Sequence, residues 1–338
     1  MTTKHNIKKI IISRTDAIGD VILTLPICGI IKQFYPNIKI LFLGRSYTKD
    51  VINCCEHVDE FINADEVLKL ADKDAVLYLK SLNADGIIHV FPNKRISKIS
   101  KKAKIKLRVG TTNRIFHWGT ANKLVRLSRK NSTLHESQLN CKLLEPLEIF
   151  ILPDLKEMAS YTGFTRIPEL TNSGASVLDK NKTKIILHPK SNASAREWSL
   201  DHYASLIKQL PKDHFQFFIS GTAKEKELLA GWIKTLPPEV VDLTGKFTLN
   251  EFIAFINQAD YLVAASTGPL HIAAACGIGA IGIYPPIQPM HPGRWQPIGK
   301  KAQALVVNKA CSDCRKNLQS CNCINEIEAK KIADIIRK

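Results

Sequence analysis

The chain has no stretch of about 18 consecutive apolar residues, the length a membrane-spanning helix needs, so no spanning segment is expected. Its start, Met1-Thr2-Thr3-Lys4-His5, runs straight into a β-like segment and lacks the separate apolar core and small-residue cleavage site of a secretory signal. The expected location is therefore the cytoplasm. No close internal repeat and no low-complexity tract occurs, which excludes solenoid and fibrous designs. Acid is absent over one long interval: neither Asp nor Glu occurs from Gly86 to His135.

That interval is instead crowded with cations, among them Lys94, Arg95, Lys98, Lys101, Lys102, Arg108, Arg114, Arg126 and Arg129, within a chain of net charge +17. A block of one sign implies an anionic partner: nucleic acid, phospholipid head groups or an acidic glycolipid. The alternative is a merely solvated basic face. Against nucleic acid, the block interleaves few aromatics (Phe91, Phe116, Trp118) and contains no recognition module.

At 338 residues, with 45% hydrophobic and 23% charged content, the chain suits two globular domains. Cys28, Cys54, Cys55, Cys141 and Cys276 lie in apolar or helical contexts and read as small buried hydrophobes rather than disulfides. Cys311, Cys314, Cys321 and Cys323 form C-x-x-C then C-x-C, a set that could ligate zinc. Incidental or structural thiols are the favoured reading, and no metal is expected to be required.

β-rich apolar runs alternate with helical patterns in both halves. Expected strands are Ile7–Ser13, Ile38–Leu43, Val58–Ile62, Gly86–Val90 and Ile105–Val109, then Thr183–His188, Phe215–Ser220, Val240–Leu243, Tyr261–Ala265 and Ala280–Tyr284. Expected helices include Val21–Tyr35 and Ala64–Ser81 in the first half and Leu200–Leu210, Lys224–Leu236 and Leu249–Asn257 in the second. The pattern breaks near Thr162-Gly163, Pro168 and Asn172-Ser173-Gly174. The expected class is α/β: a domain over 1–165, a linker over 166–182, a second domain over 183–323 and a C-terminal helix over 324–338. Two doubly wound domains imply a ligand cleft at the carboxyl ends of their strands.

Three loops after strands carry chemistry. Ser13-Arg14-Thr15-Asp16-Ala17-Ile18-Gly19-Asp20 is neither a dinucleotide fingerprint nor a Walker loop; Asp20 is a candidate general base, with Asp16 competing and helix capping as the alternative. His188 to Trp198 brings hydroxyls, Lys190 and Arg196 together, as a diphosphate site would; an ordinary solvated loop is the alternative. Ser266-Thr267-Gly268-Pro269-Leu270-His271 leads from a buried strand into a small-residue helix, an anion cradle whose amides Ser266 or Thr267 could cap. His271 reads as a ligand contact or a core histidine. Glu225 reads as a ribose acceptor or simply as a favourable first-turn acid.

In this order the loops resemble those of the lipopolysaccharide heptosyltransferases, inverting transferases of glycosyltransferase family 9. The residues that carry the resemblance are Gly19-Asp20-Val21-Ile22-Leu23-Thr24-Leu25-Pro26, Tyr35-Pro36, His188-Pro189-Lys190 through Trp198, Ser266 through Ala275, and Arg294-Trp295-Gln296-Pro297. The resemblance implies a GT-B fold of two Rossmann-like domains, with the acceptor held by the first and the donor by the second. It implies an ADP-heptose donor and the anionic inner core of lipopolysaccharide as acceptor. Asp20 falls on the family's catalytic base. Arg196 falls on a basic residue that holds the family's donor diphosphate, and Glu225, by a looser match, where the family often binds ribose; Lys190, Ser191, Asn192, Ser266, Thr267, Gly268 and His271 are expected donor contacts beside them. Arg14, Arg108 and Arg114 are expected acceptor contacts, and the rest of the basic block is expected to hold the protein at the inner face of the cytoplasmic membrane. Ser266 stands where the family usually has Asp, so another nucleotide sugar or a non-catalytic binding protein are the alternatives, with a nucleic-acid binder outside the class.

Overall fold

The computed structural model describes residues 7–129, 132–288, 290–309 and 322–338. The chain divides into two compact units, Met1–Arg166 and Ile167–Lys338. Arg166 belongs with the first, since its guanidinium donates to the Val58 and Glu56 carbonyls at 3.0 and 3.1 Å.

The first unit carries six parallel strands: β1 (Lys9–Ser13), β2 (Lys39–Gly44), β3 (Glu60–Asn63), β4 (Gly86–His89), β5 (Leu107–Thr111) and β6 (Lys123–Val125), in the spatial order β3-β2-β1-β4-β5-β6. The second carries β7 (Thr183–His188), β8 (Phe215–Ile219), β9 (Val241–Asp242), β10 (Tyr261–Ala265), β11 (Gly279–Tyr284) and β12 (Ala302–Val306), in the order β12-β11-β10-β7-β8-β9. Counted from each unit's own first strand, both sheets have the same doubly wound order. The strand order reverses between β1 and β4 in one sheet and between β7 and β10 in the other, and the three chemistry-bearing loops leave three of these strands, β1, β7 and β10.

Burial explains the strands. Ile10, Ile11 and Ile12 are fully covered, as parallel strands packed on both faces require, and each contributes roughly 1.5–3 kcal/mol of hydrophobic stabilisation. In the second unit Trp198 and Tyr203 pack edge to face, and the Trp198 indole donates to the Ile327 carbonyl at 2.9 Å. The C-terminal Ala329–Ile336 helix closes this core with Ile332, Ala333 and Ile336.

Several expectations are corrected. Val21–Tyr35 is two helices, Ile18–Ile22 and Leu25–Phe34, with Pro26 opening the second. Ala64–Ser81 is also two, Ala64–Lys69 and Asp72–Ser81. β6 and β12 were not expected: β6 is a three-residue edge strand with Lys123 and Leu124 exposed, too short to show a period. Cys28, Cys54, Cys55 and Cys141 are buried and Cys276 is half-buried. Cys311, Cys314 and Cys321 lie outside the described residues; Cys323 is buried. Among the described residues no helix is long and apolar enough to cross a membrane.

Candidate functional site

In the first unit, Arg14 follows β1 and is almost wholly buried. A buried guanidinium must be paired, and this one meets three carboxylates. Its Nε donates to Asp16 Oδ1 at 2.7 Å, its Nη1 to Glu136 Oε1 at 3.0 Å and its Nη2 to Asp20 Oδ1. Arg14, expected to contact an acceptor, thus directs three of its five N–H groups at these carboxylates.

Asp20 lies in the first turn of the Ile18–Ile22 helix and caps nothing, because the N-cap residue is Ala17 and no side chain bonds there. Burial pushes its carboxyl above the ordinary carboxylate range, Arg14 opposing and the nearby Glu136 charge adding to the rise. Burial likewise raises Asp16, to about 6. A carboxylate raised toward neutrality beside a strand's carboxyl end has the character of a general base.

Glu136, at the start of the Glu136–Cys141 helix, and Arg129 escaped the sequence reading as site residues. Glu136 is fully buried and its Oε1 also receives Arg129 Nε at 2.9 Å. The only signal was that Glu136 is the first acid after the acid-free interval.

Arg108 is placed apart from these residues. It is the second residue of β5, toward the strand's amino end, and its guanidinium donates to the Thr120 carbonyl at 2.8 Å and to the Ile105 carbonyl. That is the end of the strand opposite the loop that carries Arg114. Arg114, in the loop after β5, is exposed, as are its neighbours Ile115 and Trp118.

In the second unit, the loop after β7 closes on Glu197, another residue the sequence reading passed over. Glu197 Oε1 accepts from the Ser191 amide at 2.9 Å and the Ser191 hydroxyl at 3.1 Å, and Oε2 takes Lys190 Nζ at 2.8 Å. Asn192 and Ala193 at the tip have left-handed backbones, φ 46° and 61°, a conformation that costs about 1–2 kcal/mol outside glycine and that these bonds hold. His188, at the end of β7, bonds Ser220 through Nδ1 at 3.0 Å, and burial lowers its pKa. Arg196 is half-buried on the same loop.

Glu225 forms a capping box with Thr222: Oε2 accepts the Thr222 amide at 2.7 Å. After β10, Thr267 is the N-cap of the Gly268–Ala275 helix, but neither it nor Ser266 caps that helix through a side chain, which corrects the expected cap. The Thr267 hydroxyl is buried and has no partner among the described residues. Ser266 meets the Tyr284 hydroxyl, which donates to the Trp295 carbonyl at 2.9 Å. His271 is buried one turn into the helix. Among the described residues no cluster of three or more His, Cys, Asp or Glu is set to hold a metal ion.

Comparison with known proteins decides the family. Residues 79–325 match the model of glycosyltransferase family 9 (heptosyltransferase). The chain belongs to that family. It is thus a glycosyltransferase, and its two Rossmann-like units are those of the GT-B fold. The matched span begins after the Asp20 loop. A Haemophilus influenzae protein, whose own description as a glycosyltransferase is provisional, is 27% identical, with 86% of each chain covered. The lipopolysaccharide core heptosyltransferase OpsX of the same organism is 22% identical, over 82% of this chain and 79% of its own. Among solved structures, Escherichia coli ADP-heptose lipopolysaccharide heptosyltransferase II superposes with a TM-score of 0.75 at 16% identity, with 98% of each chain covered.

Proposed function

We propose that this glycosyltransferase moves a heptose from ADP-heptose onto the inner core of lipopolysaccharide, with inversion and with Asp20 as general base. The observation that carries the donor half is the start of the Gly268–Ala275 helix: amides with no side-chain cap beside a buried Thr267 hydroxyl that has no partner among the described residues, at the point where strand order reverses. Family membership and the names of the relatives support the sugar and the acceptor.

In this reading the Asp20 carboxylate takes the proton of an acceptor hydroxyl as its oxygen attacks the anomeric carbon and the bond to the β-phosphate oxygen breaks. General-base help of this kind is worth about 10²–10⁴-fold. Charge building on the departing ADP is met by the helix amides at Gly268, the Thr267 hydroxyl, Lys190 and Arg196, with no metal ion required. Ser191, Asn192 and His271 complete the pocket, and Glu225 accepts a ribose hydroxyl through Oε1, Oε2 being taken by Thr222. Arg114 meets an anionic group of the acceptor. Exposed cations such as Lys94, Lys98 and Lys123 attract the protein to an anionic leaflet, at about 1 kcal/mol per nearby charge.

Ser266 favours a second reading, another nucleotide sugar, because it brings a neutral hydroxyl, engaged with Tyr284, to a position where the resembled motif carries a carboxylate. A thermal-shift screen against ADP-, UDP-, GDP- and CMP-sugars separates the two, since a ligand bound only by the folded state raises Tm. The base is tested by Asp20→Asn: turnover falls by about 10²-fold or more while ADP affinity holds. Near-normal turnover defeats the assignment.

A further inference from the structure

The Glu136–Cys141 helix reaches Asp20 by two routes. Through side chains, Glu136 Oε1 receives Arg14 Nη1 at 3.0 Å, and the same guanidinium meets Asp20 through Nη2. Through the backbone, Asn140 Nδ2 donates to the Leu23 carbonyl at 3.2 Å and to Thr24 Oγ1 at 3.3 Å, and the Thr24 hydroxyl donates to the Asp20 carbonyl at 2.8 Å. Arg129 joins the two ends: its Nε meets Glu136 at 2.9 Å, while its Nη2 donates to the Val90 carbonyl at 3.2 Å and to Asn140 Oδ1 at 3.3 Å.

We infer that Glu136, with Arg129, is a positioning residue for glycosyl transfer: it holds the Arg14 guanidinium against Asp20 and sets how many carboxylates share that cation. This rests on the reading of Asp20 as the base. The groups around Asp20 are Arg14 and Asp16 on its own loop, Glu136 and Arg129 from the later segment, and Tyr47, whose hydroxyl donates to the Asp16 carbonyl at 2.8 Å.

Asp16, Asp20 and Glu136 are three acids against two guanidinium groups. A carboxylate that must share its cation holds its proton to higher pH than one with a cation of its own. Removing the Glu136 charge therefore makes Asp20 easier to ionise and a weaker base. Removing the Arg129 charge does the opposite.

The test uses Glu136→Gln and Arg129→Gln in the full chain. The first readout is the acid limb of kcat/KM against pH, with ADP-heptose and an inner-core lipopolysaccharide oligosaccharide as substrates. The second is the titration of the Asp20 carboxyl carbon by NMR, which needs no substrate. Both midpoints move down by about one pH unit in Glu136→Gln and up by a similar amount in Arg129→Gln. A residue that merely supports the fold moves neither midpoint in this opposed pattern. If Glu136→Gln fails to fold, Glu136→Asp replaces it: the retained charge restores the wild-type midpoint, and the shortened reach lowers kcat. Loss of turnover in Asp20→Asn with unmoved midpoints in both charge variants overturns this inference alone. Full turnover in Asp20→Asn overturns the base and this inference together.

Discussion

Lys190 and Glu197 form an ion pair across their own loop, Nζ to Oε2 at 2.8 Å, while the other oxygen of Glu197 holds the Ser191 amide. The lysine proposed to meet the donor diphosphate is therefore already paired, and in that role a phosphate would compete with a carboxylate for it. Both partners are partly exposed, so the pair itself adds little to stability. Its consequence is for binding.

Glu197→Gln keeps an acceptor for Ser191 and removes the charge that occupies Lys190. ADP should bind it more tightly, by about three- to tenfold, roughly 0.7–1.4 kcal/mol. Lys190→Met should weaken ADP by about tenfold. Isothermal titration of the two variants checks this. Equal ADP affinity in wild type and both variants removes Lys190 from the donor site.

His89 and His117 stack with ring centroids 5.5 Å apart, and both are fully buried. Burial holds His89 down to about 3. An unfolded chain takes up a proton near the ordinary value of 6.5 that the folded ring refuses. Stability is thus lost as pH falls from about 6.5 towards 3, by up to about 1.4 kcal/mol per pH unit for this one site. His89→Phe should shallow the loss of stability across that window by about this slope, measured by urea unfolding at several pH values. An unchanged slope would mean the ring is charged in the native state.

Gly29 lies where the Leu25–Phe34 helix touches the backbone, and a Cβ there would sit 2.2 Å from the Tyr161 carbonyl oxygen. Gly29→Ala must push these segments apart, at a cost of about 1–3 kcal/mol. Tm should fall by several degrees, about 2–4 °C per kcal/mol, by calorimetry. A Tm at or above wild type rejects the close approach.

Strand periodicity was readable wherever a strand is long and buried. Thr183–His188 and Tyr261–Ala265 are β7 and β10 to the residue, because central parallel strands are apolar runs bounded by turns. The helix breaks at Leu23-Thr24 and Leu70-Ala71 were not readable, because apolar spacing continues across them. Within the candidate site, Asp20 and the Thr267–Gly268 helix start stood out through local motifs. For Arg108 the charge is visible in sequence, while the end of the strand it serves is not.

The order of strands and loops along the chain follows from the sequence alone, because hydrophobic period and turn chemistry are local properties carried by neighbouring residues; the family was legible only through the resemblance of its motifs. Which charges meet was decided only by folding. Arg14 finds Glu136 across 122 positions, and burial then makes pairing obligatory for both. No spacing rule in a linear sequence encodes so distant a contact, since it exists only once the loop after β1 has packed against the Glu136–Cys141 helix.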